Sequence, residues 1–220
     1  MKASSLSPIL ITLGLAACGG DDGVTPVGTD ARTIDGGIDA PVVCTVSSAA
    51  FGDRGAVTPS LCVQDPGDDM ASAADDVIVM RAPLEAGSPF DELEFDLYAG
   101  YGVFMNGFAP GTYQIAGDEL QFATCGLCVF VNTDRDANGY VDDYFATGGT
   151  VTITSINGML TGTVSNLTFE HVTLAQNEST PVGDGCVTAL TGATFTAPLT
   201  APPAKAHQAN ASRTKGRARR

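Results

Sequence analysis

The sequence predicts an all-β protein, an antiparallel β-sandwich or jelly-roll-like domain, with a partly closed β-barrel as the alternative. Three observations predict it. Short runs rich in Val, Thr and aromatics recur, several with apolar residues at every second position, the period of a half-buried strand. Glycine, 26 residues in all, punctuates nearly every junction between those runs. No window repeats its apolar residues at the three- and four-residue spacing of a helix; only Ala71-Ser-Ala-Ala74 suits a single helical turn.

Asp76-Val-Ile-Val-Met80 is the first clear strand. Leu93-Glu-Phe-Asp-Leu97 alternates apolar and acidic residues, which predicts one buried face and one solvated face carrying Glu92 and Glu94. Thr112-Tyr-Gln-Ile115 and Cys128-Val-Phe-Val131 are further strands. The run from Gly149 to Ile156 meets Asn157-Gly158, a strong hairpin signal, and Leu160-Thr-Gly-Thr-Val164 returns. Leu167-Thr-Phe169, Val172-Thr-Leu174 and Cys186-Val-Thr-Ala-Leu190 bring the set to eight to ten strands. The phase of the apolar positions shifts between Val164, Leu167 and Val172, which predicts bulges or bends.

The amino-terminal segment has a different character. Lys2 precedes a short, mostly apolar run from Leu6 to Leu15, too short to span a bilayer and suited to the core of a secretory signal. It ends on Leu15-Ala16-Ala17-Cys18, which resembles the lipobox of bacterial lipoproteins. The resemblance implies a diacylglyceryl group on the Cys18 thiol, cleavage before Cys18 and acylation of the new amino terminus. At least two acyl chains make a stable anchor where one does not, so the expected partner is a membrane, in the cell envelope. Gly19, where an aspartate would favour inner-membrane retention, tilts that expectation to the outer membrane. The expected organisation is a signal peptide at 1–17, a lipidated cysteine and flexible acidic linker at 18–43, a β-domain at 44–200 and a disordered basic tail at 201–220. The linker is rich in Gly, Asp, Thr and Pro, which bury too little surface to offset the entropy of ordering.

Charge separates the same regions. Between Cys44 and Pro203 stand 20 acidic residues against Arg54, Arg81 and Arg135, with no lysine, whereas Lys205, Arg213, Lys215, Arg217, Arg219 and Arg220 crowd the tail. An acidic body argues against nucleic acid, whose phosphates need Lys and Arg. It suits a secreted, soluble body and permits cations such as calcium.

Export places Cys44, Cys62, Cys125, Cys128 and Cys186 where disulfides persist. Five is odd, so one is left over. Cys186 is expected to pair with Cys44 or Cys62, tying the domain's end to its start. Cys125-Gly-Leu-Cys128 has three readings: a local structural bridge, two bridges to other cysteines, or a redox or zinc site with His171 and Cys186 as further ligands. In a straight strand the two cysteines would lie on opposite faces about 10 Å apart, so a local bridge needs a turn at Gly126. A redox site would need a helix N-terminus to lower the thiol pKa, and Val129-Phe-Val131 is strand-like.

Asn132-Thr-Asp-Arg-Asp-Ala-Asn-Gly-Tyr-Val-Asp-Asp143, counted from Asp134, has oxygen-bearing side chains at positions one, three and five and a glycine at six, the pattern of a calcium loop. Asp134, Asp136, Asn138, the Tyr140 carbonyl and Asp142 would then bind Ca²⁺. The loop resembles those of EF-hand, dockerin and thrombospondin-repeat proteins. It departs from the EF-hand where Phe145 replaces the bidentate glutamate, a role Asp142 or Asp143 would have to take. The alternative is an acidic hairpin whose Asn-Gly makes the turn.

The segments FATCGLCVFVNTD, YFATGGTVTITSINGMLTGTVSNLTFEHVTL and STPVGDGCVTALTGATF together resemble lipoproteins of myxobacteria with a lipobox, an acidic linker and a β-domain. That resemblance implies the architecture and no activity. No nucleophile elbow, phosphate-cradling loop or His-Glu-x-x-His helix is present. His171 is the only histidine of the body, and Glu92 with Glu94 is a carboxylate pair of the kind glycoside hydrolysis uses. The expectation is a non-enzymatic, lipid-anchored structural or binding domain whose partner is an envelope protein or glycan. The alternatives are a calcium-dependent adhesion or carbohydrate-binding module and a secreted hydrolase.

Overall fold

The computed structural model describes residues 42–65 and 76–201. The signal segment, Cys18, the linker up to residue 41, the turn expected at Ala71–Ala74 and the tail beyond 201 lie outside the described residues. Among the described residues ten strands form one sheet: β1 Gly52–Val57, β2 Leu61–Asp65, β3 Val77–Pro83, β4 Phe90–Tyr98, β5 Gly111–Gln114, β6 Leu127–Arg135, β7 Asp143–Ile156, β8 Met159–Ala175, β9 Glu178–Pro181 and β10 Val187–Pro198. Their order is β1-β10-β8-β7-β6-β4-β3-β2, with β5 added to β7 and β9 to β8. Every pairing is antiparallel except β1 with β10.

The sheet curls until its ends meet. Past β10, Thr200 bridges Val63 of β2, donating its amide to the Cys62 carbonyl at 3.2 Å and accepting from the Gln64 amide at 2.9 Å. The concave face fills with Met80, Leu93, Phe95, Leu97, Val129, Val131, Leu160, Leu167, Phe169, Leu190 and Phe195. Phe95 of β4 meets Phe195 of β10 edge to face at 5.2 Å between ring centres, across the curl. The all-β expectation holds. One continuous sheet forms a partly closed barrel whose opposite walls pack face to face.

A second apolar cluster sits on the convex face: Tyr98, Phe122, Cys125, Cys128, Phe130, Phe145 and Val172. It explains part of the phase shift along β8. The first shift is a bulge, with Asn166 at φ +51° opposite the Gly148–Gly149 bend of β7. That bend lets β7 pair with β6 at 143–145 and with β5 at 150–153. At the second shift β8 pairs with β10 without interruption, the extra residue lying in β7 between Ala146 and Gly148, and Val172 buries itself on the other face of the sheet.

The expected Leu160, Leu167 and Val172 runs are therefore one strand of 17 residues. At its start Ile156 pairs with Leu160, so three residues make the tip and only Gly158 takes a left-handed φ. At its end Gln176 and Asn177 both take positive φ, +51° and +66°, the backbone of a type I′ turn built without glycine.

The connection from β4 to β6 serves both faces. Phe104, in a 3-10 turn at Gly102–Phe104, enters the concave core beside Phe108 and Tyr113. Further on, Phe122 enters the convex cluster. What holds this excursion is Glu119, 2 % exposed, in a second 3-10 turn at Gly117–Leu120. Its carboxylate accepts backbone N–H groups from Val103 at 2.8 Å, Gly126 at 3.3 Å and Leu127 at 2.6 Å. Gly102, at φ +40°, and Gly126 have to be glycine, since a Cβ on either would collide with backbone or with the Glu119 carboxylate.

Truncating this carboxylate strands three N–H donors, those of Gly126 and Leu127 buried. Glu119→Ala is expected to lower the unfolding free energy by about 2–4 kcal/mol, read from urea denaturation, with Glu119→Gln in between. An unchanged denaturation midpoint in the alanine variant would show that the clamp adds nothing.

Candidate functional site

Glu92 and Glu94 stand with Asp96 on the face of β4 opposite Leu93, Phe95 and Leu97, as the alternation requires. That face is not solvated. Glu92 is 2 % exposed and Glu94 is fully buried, which corrects the expectation of a solvated carboxylate pair. The reason lies in two distant arginines. Arg81 of β3 sits opposite Glu94 and donates Nη2 to its Oε1 at 2.9 Å. Arg135, at the end of β6, brings Nε within 2.5 Å of Glu92 Oε1. Asn132 Nδ2 donates to Glu94 Oε2. Longer contacts at 3.9 Å, Arg81 to Glu92 and Arg135 to Glu94, close the square.

Two carboxylates thus meet two guanidiniums. Burial still pushes the Glu92 carboxyl above its ordinary range, against the pull of Arg135 and Arg81. Glycoside hydrolysis needs two carboxyl groups flanking a substrate bond. These two stand on one strand, locked in ion pairs.

The acidic loop is a hairpin. Asp136 and Gly139 form an isolated antiparallel bridge. The Asp136 carboxylate accepts the Asn138 amide at 2.6 Å and the Gly139 amide at 3.2 Å, which caps the turn and lowers its pKa. Asp134 takes φ +50°, and its amide donates to the buried Asp91 carboxylate at 3.1 Å. The Asp134 carboxyl is raised by desolvation and by its neighbours Asp91, Glu85 and Asp142. The Tyr140 ring lies 5.0 Å from the Arg135 guanidinium and its hydroxyl donates to Asp143 at 3.4 Å. Phe145, at the twelfth loop position, is buried in the convex cluster. Among the described residues no three His, Cys, Asp or Glu side chains converge as a metal site would have them.

His171 is wedged between loops. Its Nδ1 lies 2.6 Å from Asp184 Oδ2, its Nε2 3.5 Å from Asp142 Oδ1, and its ring stacks on Tyr144 at 5.1 Å and 15°. Both ring nitrogens therefore face carboxylates. Asp184 also accepts the Cys186 amide at 2.9 Å, and these two hydrogen bonds hold its carboxyl below the ordinary aspartate range.

Cys186 bridges Cys44 across 142 residues, with Cα atoms 5.6 Å apart. Cys125 bridges Cys128 with Cα atoms 5.3 Å apart. The second bridge closes because β6 begins only at Leu127, so Cys125 and Gly126 lie in the turn before the strand. Cys62, the fifth, is a buried free thiol in the concave core, and burial pushes its pKa up to about 11. Such a thiol is unreactive.

Sequence reasoning missed a cavity of about 130 Å³ on the convex face. Leu120, Gln121, Phe145, Ala146, Thr147, Glu170, Val172, Ser179 and Pro181 line it. Residues 120 and 121 close over it from the β4–β6 connection, clasped to β9: Ser179 Oγ donates to Gln121 Oε1 at 3.1 Å and accepts from the Phe122 amide at 3.2 Å. The signal for β9 was weak because the turn before it lacks glycine.

Arg135→Met leaves two buried carboxylates with one guanidinium and should cost about 3–5 kcal/mol, while the double variant with Glu92→Leu should cost much less. In the single variant the folded state holds the Glu92 proton more tightly than the unfolded chain. Stability should then fall as pH rises above about 4.5, the ordinary glutamate value. Denaturant titrations from pH 4 to 7 test both; a single variant as stable as the parent at pH 7 would dismiss the network.

Asp184 works in the opposite sense. Its depressed pKa stabilises the fold above pH 3.8, and that contribution disappears as pH falls through the lower folded value. Asp184→Asn should be less stable near neutrality and show a flatter acid limb in melting temperature between pH 6 and 2. Parallel curves would refute the assignment.

Compared with protein-family models, curated proteins and solved structures, the chain matches none, so its function has to be argued from these groups.

Proposed function

We propose that the chain is an exported, lipid-anchored protein of the cell envelope, cut before Cys18 and held by acyl groups there. Its curled β-domain is a non-enzymatic structural or binding body. The observation that carries this is the Cys44–Cys186 bridge, at the point where the chain from Cys18 enters the domain. Such a bridge forms and persists in an oxidising compartment, the destination that Leu15-Ala16-Ala17-Cys18 implies. It also suits a tethered body, because a pull arriving through the linker reaches β10 through a covalent bond. Gly19 favours the outer membrane as the site of attachment.

The non-enzymatic reading is supported by how the charged groups are used. The Glu92–Glu94 pair is held by arginines, His171 has carboxylates at both nitrogens, and Cys62 is buried. The calcium alternative draws on the carboxylates around Asp134, but Asp136 is already engaged by its own turn. The hydrolase alternative loses its carboxylate pair to the ion-pair square.

Cells fed radiolabelled palmitate should yield a labelled protein that partitions with envelopes. Cys18→Ala should remain unlabelled and retain the uncleaved amino terminus. A wild-type protein without label, or a Cys18→Ala variant that matures and stays on envelopes equally well, would overturn the proposal.

A further inference from the structure

Beyond anchoring, the convex cavity has features of a binding site. Glu170 of β8 pairs with Phe145 of β7 and stands two residues before Val172, so all three project from the same face. That face bounds the cavity, and Leu120 and Pro181 add to its apolar wall. The Glu170 side chain is half-buried and has no hydrogen bond or ion pair among the described residues. The arginines of the body are committed elsewhere: Arg54 to Glu85, Arg81 to Glu94, Arg135 to Glu92. Among the described residues no arginine or lysine is left for Glu170. A half-buried carboxylate at the edge of an apolar cavity is better stabilised by a positive charge than by hydrophobic neighbours.

We infer that this cavity binds a small organic ammonium ion, its charge on Glu170 and its apolar stem against Phe145, Val172 and Pro181. The size agrees: a cavity of about 150 Å³ holds a benzene-sized molecule, and this one, of about 130 Å³, suits a stem of about four to six carbons. The Gln121–Ser179 clasp ties the connection that carries Leu120 to β9, so the cavity is formed before the ligand arrives.

The test uses the full mature protein and three ligands of one shape: butylammonium, butanol and butyrate. Backbone amide signals of residues 145–147, 170–172, 179 and 180 are followed by NMR as each is added. Butylammonium is expected to shift them saturably and the other two are not. Glu170→Gln, with unchanged far-UV dichroism, should bind butylammonium about tenfold more weakly or worse. Equal shifts from butanol, no shift from butylammonium, or unweakened binding by Glu170→Gln would each overturn the assignment. Because it concerns the folded body alone, it stands or falls independently of acylation at Cys18.

Discussion

β4 is buried on both faces, and that constraint governs the sheet around it. One face is ordinary core: Leu93, Phe95 and Leu97 meet the opposite wall of the curl. The other carries Glu92, Glu94 and Asp96 into an environment that penalises isolated charge. The solution draws Arg81 from one neighbouring strand and Arg135 from the other, so the pairing of β3, β4 and β6 is fixed electrostatically as well as by hydrogen bonds. A one-residue slip of β4 would put carboxylates into the concave core and leucines under the arginines. In stability such a network competes with a hydrophobic layer at best evenly. Its gain is register.

The economy of cations follows. The body holds three arginines and no lysine between Cys44 and Pro203. Two of the three serve the β4 square, and Arg54 approaches Glu85 at 4.0 Å while lying over the Phe51 ring. Carboxylates elsewhere rely on backbone amides: Glu119 on three, Asp136 on two, and Asp91 on those of Ser47 and Asp134. An acidic domain can be built this way because an N–H group stabilises a carboxylate by hydrogen bonding without adding a side chain that must be ordered.

What the sequence disclosed was local. Alternation in Leu93–Leu97 and the β-branched runs marked β3 to β8 and the start of β10, because period-two burial is written within five residues. β1 and β2 were not marked: Gly52-Asp-Arg-Gly55 is polar, and β1 exists as a strand only because β10 offers it a parallel edge. The fate of Glu92 and Glu94 was illegible for the same reason. Their alternation read as core and solvent, and only Arg81 and Arg135, brought together by pairing, turn the second face into an interior. The odd cysteine count showed that one would be left over; which one depended on Cys125 and Gly126 lying just before β6. The calcium-like spacing of the acidic loop is equally the spacing of an Asx-capped hairpin, and the two diverge only in where the Asp136 carboxylate turns.

The bridges complete the argument from charge to tether. A covalent link across 142 residues removes much of the unfolded chain's freedom, about 4–5 kcal/mol on the loop-entropy account. It does so between the entry of the chain and the loop that carries Asp184, whose carboxylate holds His171. His171 in turn stacks on Tyr144 and faces Asp142 of the acidic hairpin. The entry point, the hairpin and the first residues of β10 are thereby one cross-linked end of the curl. At the other end Thr200 hydrogen-bonds to Cys62 and Gln64. A body fastened at one end by covalent and ionic contacts, and at the other by a few backbone hydrogen bonds, should open first where β2 meets Thr200, away from the point where a tether would pull.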